Sequence, residues 1–184
     1  MKKNLGFIFI VLLFQACGVY NPAPVVLPSH IRSISISPVI NNTPIYGLED
    51  ELTRTIKDEF IRDGRIPINN DIESDGDVET VISRYILEPL SYDENHVIEE
   101  YKLWVLVDLR FIDRVRNKIL WEERNLEGDH RFFVDTKPGG LTEDEAREFV
   151  WDNLSRNIIK RTIEGFGSVT GLSDKRAPQS ISEE

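Results

Sequence analysis

Residues 101–111 read YKLWVLVDLRF, and this run decides the fold. Tyr101, Leu103, Val105, Val107, Leu109 and Phe111 share one face of an extended chain, while Lys102, Trp104, Leu106, Asp108 and Arg110 share the other. Strand side chains alternate with period two, so an apolar set backed by a mixed set predicts a long strand with one face in a core.

Working outward, 113–118 is a charged turn and 119–124 (ILWEER) starts a further strand. On the other side, 91–95 carries a turn and 78–87 is rich in β-branched residues, which predicts another strand. These three strands form a meander. Further upstream, 31–37 (IRSISIS) alternates apolar and polar residues as a half-buried strand does, and Pro38 and then 41–44 (NNTP) end it. From Gly47 the period changes. Leu48, Leu52, Ile56 and Phe60 recur every four residues, the pattern of an amphipathic helix, and Gly64 stands where a C-cap glycine belongs. Residues 66–68 suit a short strand that Pro67 confines to an edge.

Downstream, 134–140 is a loop. Thr142 and Glu145 have the spacing of a capping box, with Leu141 placed to staple onto Ala146. Ala146, Phe149, Val150, Leu154 and Ile158 continue as a helical stripe. The expected fold is α+β: an about four-stranded, mostly antiparallel sheet with two helices packed on one face. One domain spans 31–166, and the Gly/Ser/Pro-rich segment 167–184 is expected to be a disordered tail. The second sheet face carries Trp104 and Leu106 among charges; it is either a solvent-facing surface or a partner-docking one.

The N-terminus carries an address. Lys2 and Lys3 precede an apolar run, 5–14, which falls short of the roughly 20 residues that span a bilayer and matches the core of a secretory signal. Residues 15–17 (QAC) resemble a bacterial lipobox, so 1–16 is expected to be cleaved and Cys17 acylated, anchoring the chain in a membrane. The alternative is an ordinary signal peptide with an incidental cysteine. Each buried acyl methylene contributes about 0.8 kcal/mol, so several chains give a firm anchor. Gly18, where an Asp would favour the inner membrane by sorting analogy, points to the outer membrane. Pro22, Pro24 and Pro28 make 17–30 an extended tether.

The chain has 22 Lys and Arg against 32 Asp and Glu, a net charge of −10 that losing Lys2 and Lys3 makes more negative. That balance argues against nucleic acid as a partner. His30, His96 and His130 have no metal-ligand spacing, and the lone cysteine offers no disulfide. There is no nucleophile elbow, phosphate loop or dinucleotide fingerprint, so neither an enzyme nor a cofactor is expected. The acidic pairs are solvated charges. Basic residues are the informative minority: Arg114, Arg116 and Lys118 in one hairpin turn, and Arg131 and Lys137 around the loop before the last helix, with meander geometry placing the two groups at opposite ends of the sheet.

The sequence from Cys17-Gly18-Val19-Tyr20 and the proline tether, through IRSISISPVINNTPIYGLEDELTRTIKDEF and VETVISRYILEPLSYDENHVIEEYKLWVLVDLRFID, to ILWEER and the capped final helix resembles the lipopolysaccharide-assembly family LptE. The resemblance implies a non-enzymatic lipoprotein that plugs the outer-membrane β-barrel LptD and helps it deliver lipopolysaccharide to the outer leaflet. It also implies that lipopolysaccharide meets basic residues near the turn between the second and third strands and in the loop before the last helix. Lys137 lies in the second of these segments and Arg131 borders it, with His96 as a weaker third. The first segment departs from the pattern, since Asp93-Glu94-Asn95 is acidic. Another outer-membrane adaptor, such as a pilotin-like scaffold without lipopolysaccharide binding, is the alternative.

Overall fold

The computed structural model describes residues 27–69 and 73–164. The signal segment, Cys17, most of the tether and the 167–184 tail lie outside the described residues. The elements are β1 (Ile34–Ile36), β2 (Ile40–Asn41), α1 (Leu48–Asp63), β3 (Gly76–Tyr92), β4 (Ile98–Asp113), β5 (Lys118–Phe133) and α2 (Glu143–Glu164). The sheet order is β1-β3-β4-β5, with β2 also paired to β3. β1 and β2 run parallel to β3, and the β3–β4–β5 meander is antiparallel. The fold is therefore the α+β arrangement expected, with a fifth strand of two residues where a turn was anticipated. Residues 66–68 contribute a single bridge, Ile34 to Ile68.

The alternation in β4 sorts as predicted. Leu103, Val105, Val107, Leu109 and Phe111 are fully buried and continue into Val78 and Ile82 of β3. Leu48, Leu52, Ile56 and Phe60 of α1 close over them. α1 ends at Gly64, whose positive φ of 67° suits glycine and whose N–H reaches the Phe60 carbonyl at 3.1 Å. α2 opens on the capping box: the Thr142 N–H donates to Glu145 Oε2 at 2.8 Å, and the Glu145 N–H donates back to Thr142 Oγ1 at 3.3 Å.

One position in the α2 stripe differs. Phe149 is 51 % exposed and stacks on the His130 ring with centroids 4.5 Å apart, while Trp151, Ile159 and Ile163 join the core. The helix packs on the sheet and on α1 at once, so its buried face is wider than a single stripe and is turned away from Phe149. At its closest approach to the sheet, α2 needs Gly128: a Cβ there would stand 2.4 Å from Leu154 Cγ.

Both helices lie on one face. Glu51 of α1 meets Arg147 and Trp151 of α2, and Arg65 just past α1 meets Glu164 at the end of α2, so the helices run parallel with their N-termini together. At about 3.3 Å per residue β4 is about 50 Å long, whereas α2 at 1.5 Å per residue is about 33 Å. The helix layer is shorter than the sheet it covers, and the two ends of the sheet are finished differently.

Candidate functional site

The end where the tether enters is closed by polar side chains. The hydroxyls of Ser35 and Ser37 donate to the two oxygens of Asp77 at 2.6 and 2.8 Å, and Arg114 Nη2 lies 3.3 Å from Oδ2 of the same carboxylate. Asp75 Oδ2 accepts from the backbone N–H groups of Arg32 and Ser33. His30 Nε2 lies 2.7 Å from Asp113 Oδ2, and Asp113 Oδ1 accepts from the Arg116 N–H at 2.9 Å. Burial works against the Asp113 charge, but the Arg116 amide and His30 outweigh it and hold the carboxyl below its ordinary range. Ser33, Ser35, Asp77 and Asp113 are all buried. The polar half of 31–37 is thus covered, because a second period-two polar pair, Asp75 and Asp77, pairs with it. Arg114, expected in a solvated turn, is part of this network.

The open face of the sheet carries Trp104, with Lys102 Nζ 4.1 Å from its ring centroid and 3.0 Å from Asp129 Oδ2. The Trp104 Nε1 is buried and, among the described residues, makes no hydrogen bond. Leu106 differs from its expected role: it is only 6 % exposed, flanked in register by the long side chains of Arg84 and Glu127. Trp104, half-buried, is an apolar group on this face together with Ile86, its β3 partner, and Val81, both also half-buried, with Ile40 58 % exposed at the margin.

The opposite end, at the β3–β4 hairpin, is unfinished. Leu90, Tyr92, Val97 and Phe133 are exposed there. Behind them a cleft of about 290 Å³ opens between Leu87, Tyr101, Phe132, Val134 and Leu141, with Glu143 on its rim. Tyr85 O–H donates to Glu143 Oε1 at 2.7 Å, and burial together with this bond pushes the phenol well above its ordinary range. The 134–141 loop folds tightly against the hairpin: the Val134 N–H donates to Glu99 O and the Leu141 N–H to Phe133 O. Gly140 is required in that loop, since a Cβ would collide with the Val134 carbonyl.

The two basic residues singled out from sequence both lie at this end but do not converge. Arg131 is exposed on β5 opposite Lys102, hence on the open face. Lys137 Nζ pairs with Glu99, whose hydrogen bond holds the ammonium above its ordinary range; Glu99 falls on the helix-covered side of the alternation. His96 sits in the hairpin turn with a positive φ of 63° and is exposed. The sequence reading missed the cleft, because its lining comes from β3, β4, β5 and the loop at spacings that only pairing reveals. It also missed Asp75 and Asp77, for which the shared period of two with the serines was the available signal.

Among the described residues no group of three or more His, Cys, Asp or Glu is placed to hold a metal ion. No described helix is long and apolar enough to cross a membrane, which says nothing of a β-barrel.

A family model described as LptE, lipopolysaccharide-assembly, matches residues 31–164. No curated protein matches. Among solved structures, the chain is similar to the hypothetical protein CT253 from Chlamydia trachomatis, at 13 % identity over 73 % of this chain and 96 % of that one, with a TM-score of 0.52. It is also similar to the rare lipoprotein B from Shewanella oneidensis, at 15 % identity over 68 % and 89 % of the two chains, with a TM-score of 0.45. At 13 % identity the likeness to the first of these is one of fold.

Proposed function

This chain belongs to the LptE lipopolysaccharide-assembly family, and from that premise we propose that it is a lipid-anchored outer-membrane lipoprotein that binds and plugs an LptD-type β-barrel. The observation that carries the reading is the extent of the family match: 31–164 takes in all five strands and both helices, so the whole fold is shared, not a fragment of it. The geometry is in keeping with it. A sheet about 50 Å long with helices on one face only leaves a broad second surface, presenting Trp104 between salt-bridged charges, for a barrel wall to meet. The lipobox at Cys17 supplies the anchor, and an acidic chain meets lipopolysaccharide phosphates only through local cations such as Arg131 and Lys137.

Native capture of the acylated protein from outer membranes tests the proposal. Co-purification of a large β-barrel in stoichiometric amount is the expected result. Capture of the intact lipoprotein with no barrel would overturn it and favour an adaptor of another kind. Mass spectrometry of the captured chain should show acylation at Cys17 and loss of 1–16.

A further inference from the structure

The outer edge of β3 is only partly used. β1 pairs with Gly76–Val78 and β2 with Val81–Ile82, and the Asn42 N–H to the Ile82 carbonyl, at 3.0 Å, is the last bond on that edge. From Arg84 to Tyr92 no strand among the described residues lies beside it. The ladder dictates which backbone groups are left over. In an antiparallel pair alternate residues turn both N–H and C=O away from the partner strand. The Val78 and Ile82 carbonyls are outward, as their bonds to Ser37 and Asn42 show. Beyond the register shift between Ile82 and Arg84, the outward positions are those facing Val105, Leu103 and Tyr101, namely Tyr85, Leu87 and Pro89. Tyr85 and Leu87 therefore offer donor and acceptor, while Pro89 offers an acceptor alone.

The same stretch lines the cleft. Leu87 is both an outward backbone position and a wall of the apolar opening, so a chain lying along this edge would set its inward side chain beside Leu87, at the outer mouth of the cleft. Acidic groups outnumber basic ones around this position: Glu88, Asp135 and Glu143 border it and Asp93, Glu94 and Glu99 lie at the hairpin, against Arg84 on the edge strand, Lys102 in register with Glu88, and Lys137 paired with Glu99. We infer that the β3 edge from Tyr85 to Pro89 receives one extended segment of a partner polypeptide, apolar and basic by turns, whose apolar side chain packs against Leu87 at the mouth of the cleft. A second copy pairing Tyr85 with Leu87 would set Arg84 opposite Glu88, so self-pairing is the competing occupant, and its dependence on protein concentration separates it in the test below. The wall of a closed barrel fits poorly, because closure leaves no free strand. The occupant is a loop or terminus, and the inference extends the barrel reading without depending on it.

The test uses the full chain in detergent and, as probe, an acetylated heptapeptide alternating lysine with valine and phenylalanine. Amide hydrogen exchange followed by mass spectrometry should slow at Tyr85 and Leu87 when the peptide is added, as addition of a strand requires. The same peptide N-methylated at alternate amides loses the edge bonds and should bind at least about tenfold more weakly, the equivalent of 1.4 kcal/mol. Replacing its lysines with glutamates should weaken it similarly, and Leu87→Ala should weaken binding without altering exchange in β4. Equal binding by the N-methylated peptide would overturn the proposal, since apolar contact alone would then explain it. Slowing along β5 in place of β3, or peptide-free slowing that grows with protein concentration, would overturn it as well, the latter in favour of self-pairing.

Discussion

The two ends of this sheet are built from the same strands and solve opposite problems. At the tether end the strands stop in a buried polar network whose named members are paired: serines on Asp77, His30 and Arg116 on Asp113, Arg114 back onto Asp77. At the hairpin end the same β3 and β4 run on beyond α1, leaving backbone edge, apolar cleft and exposed Tyr92 and Val97. A buried polar group must find its partner inside the chain, because an unpaired one costs about 1–3 kcal/mol. Exposed backbone and apolar surface are tolerated in water and retain their partners for later. The comparison separates a region that holds the fold from one available for contact.

The largest effect should come from breaking the closed end. Asp77→Ala removes the carboxylate that Ser35, Ser37 and Arg114 share, and removing one side of a buried pair costs about 3–5 kcal/mol, less some screening because Arg114 is one-third exposed. Urea unfolding should show a fall of about 3 kcal/mol; a loss below about 0.5 kcal/mol, the level of an ordinary surface change, would mean that this network holds nothing.

Packing at the same end is next. A Cβ on Gly76 would stand 2.7 Å from Phe111 Cζ, so Gly76→Ala should cost about 1–3 kcal/mol by overpacking, whereas Phe133→Ala at the open end should change stability by under about 0.5 kcal/mol. Equal melting shifts for the two variants would erase the distinction between the ends.

Acid provides a third comparison. The folded Asp113 carboxyl titrates below its ordinary value of 3.8, so its ionised form is favoured by folding. That contribution is present above the unfolded value and disappears as pH falls through the folded one. Asp113→Asn should therefore flatten the stability profile below about pH 4 and leave its slope near neutrality unchanged. A parallel profile for the variant and the wild type would show that the Asp113 carboxylate, held by the Arg116 amide and His30, contributes nothing to acid sensitivity.

The smallest effects should be those of the surface cations. Reversing Arg131 and Lys137 together to Asp should weaken lipopolysaccharide binding several-fold, because exposed ion pairs contribute only about 0–1 kcal/mol each, and the Lys137 reversal alone, away from the open face that carries Arg131, should leave barrel capture intact. Reversing Lys118, at the opposite end of the sheet, should do less. Equal losses would point to general charge attraction.

How much of this was legible in sequence follows from what each element depends on. β4, α1 and the α2 cap were readable because their determinants are local: alternation, a four-residue period, Thr142 with Glu145. β2 was not, since two residues become a strand only because the neighbouring β3 edge is available to pair with Ile40 and Asn41. Phe149 was misassigned because periodicity gives a stripe, while the width and rotation of a buried face depend on a second neighbour. Arg131 and Lys137 were placed at the right end, but the face each occupies follows from pairing with Lys102 and Glu99. The cleft was invisible for the same reason.

Pro89 limits what the open end can become. An edge strand with a complete set of amides can template another strand, which exposes a fresh edge and invites the next, the geometry by which fibrils grow. Here the proline removes the third outward donor, leaving two amides with which to hold an incoming chain, and β3 ends three residues later at Tyr92. Growth along the edge is thereby capped in length before it begins. If the chain is anchored on a membrane as proposed, that one imino acid weakens edge-to-edge pairing between neighbouring copies.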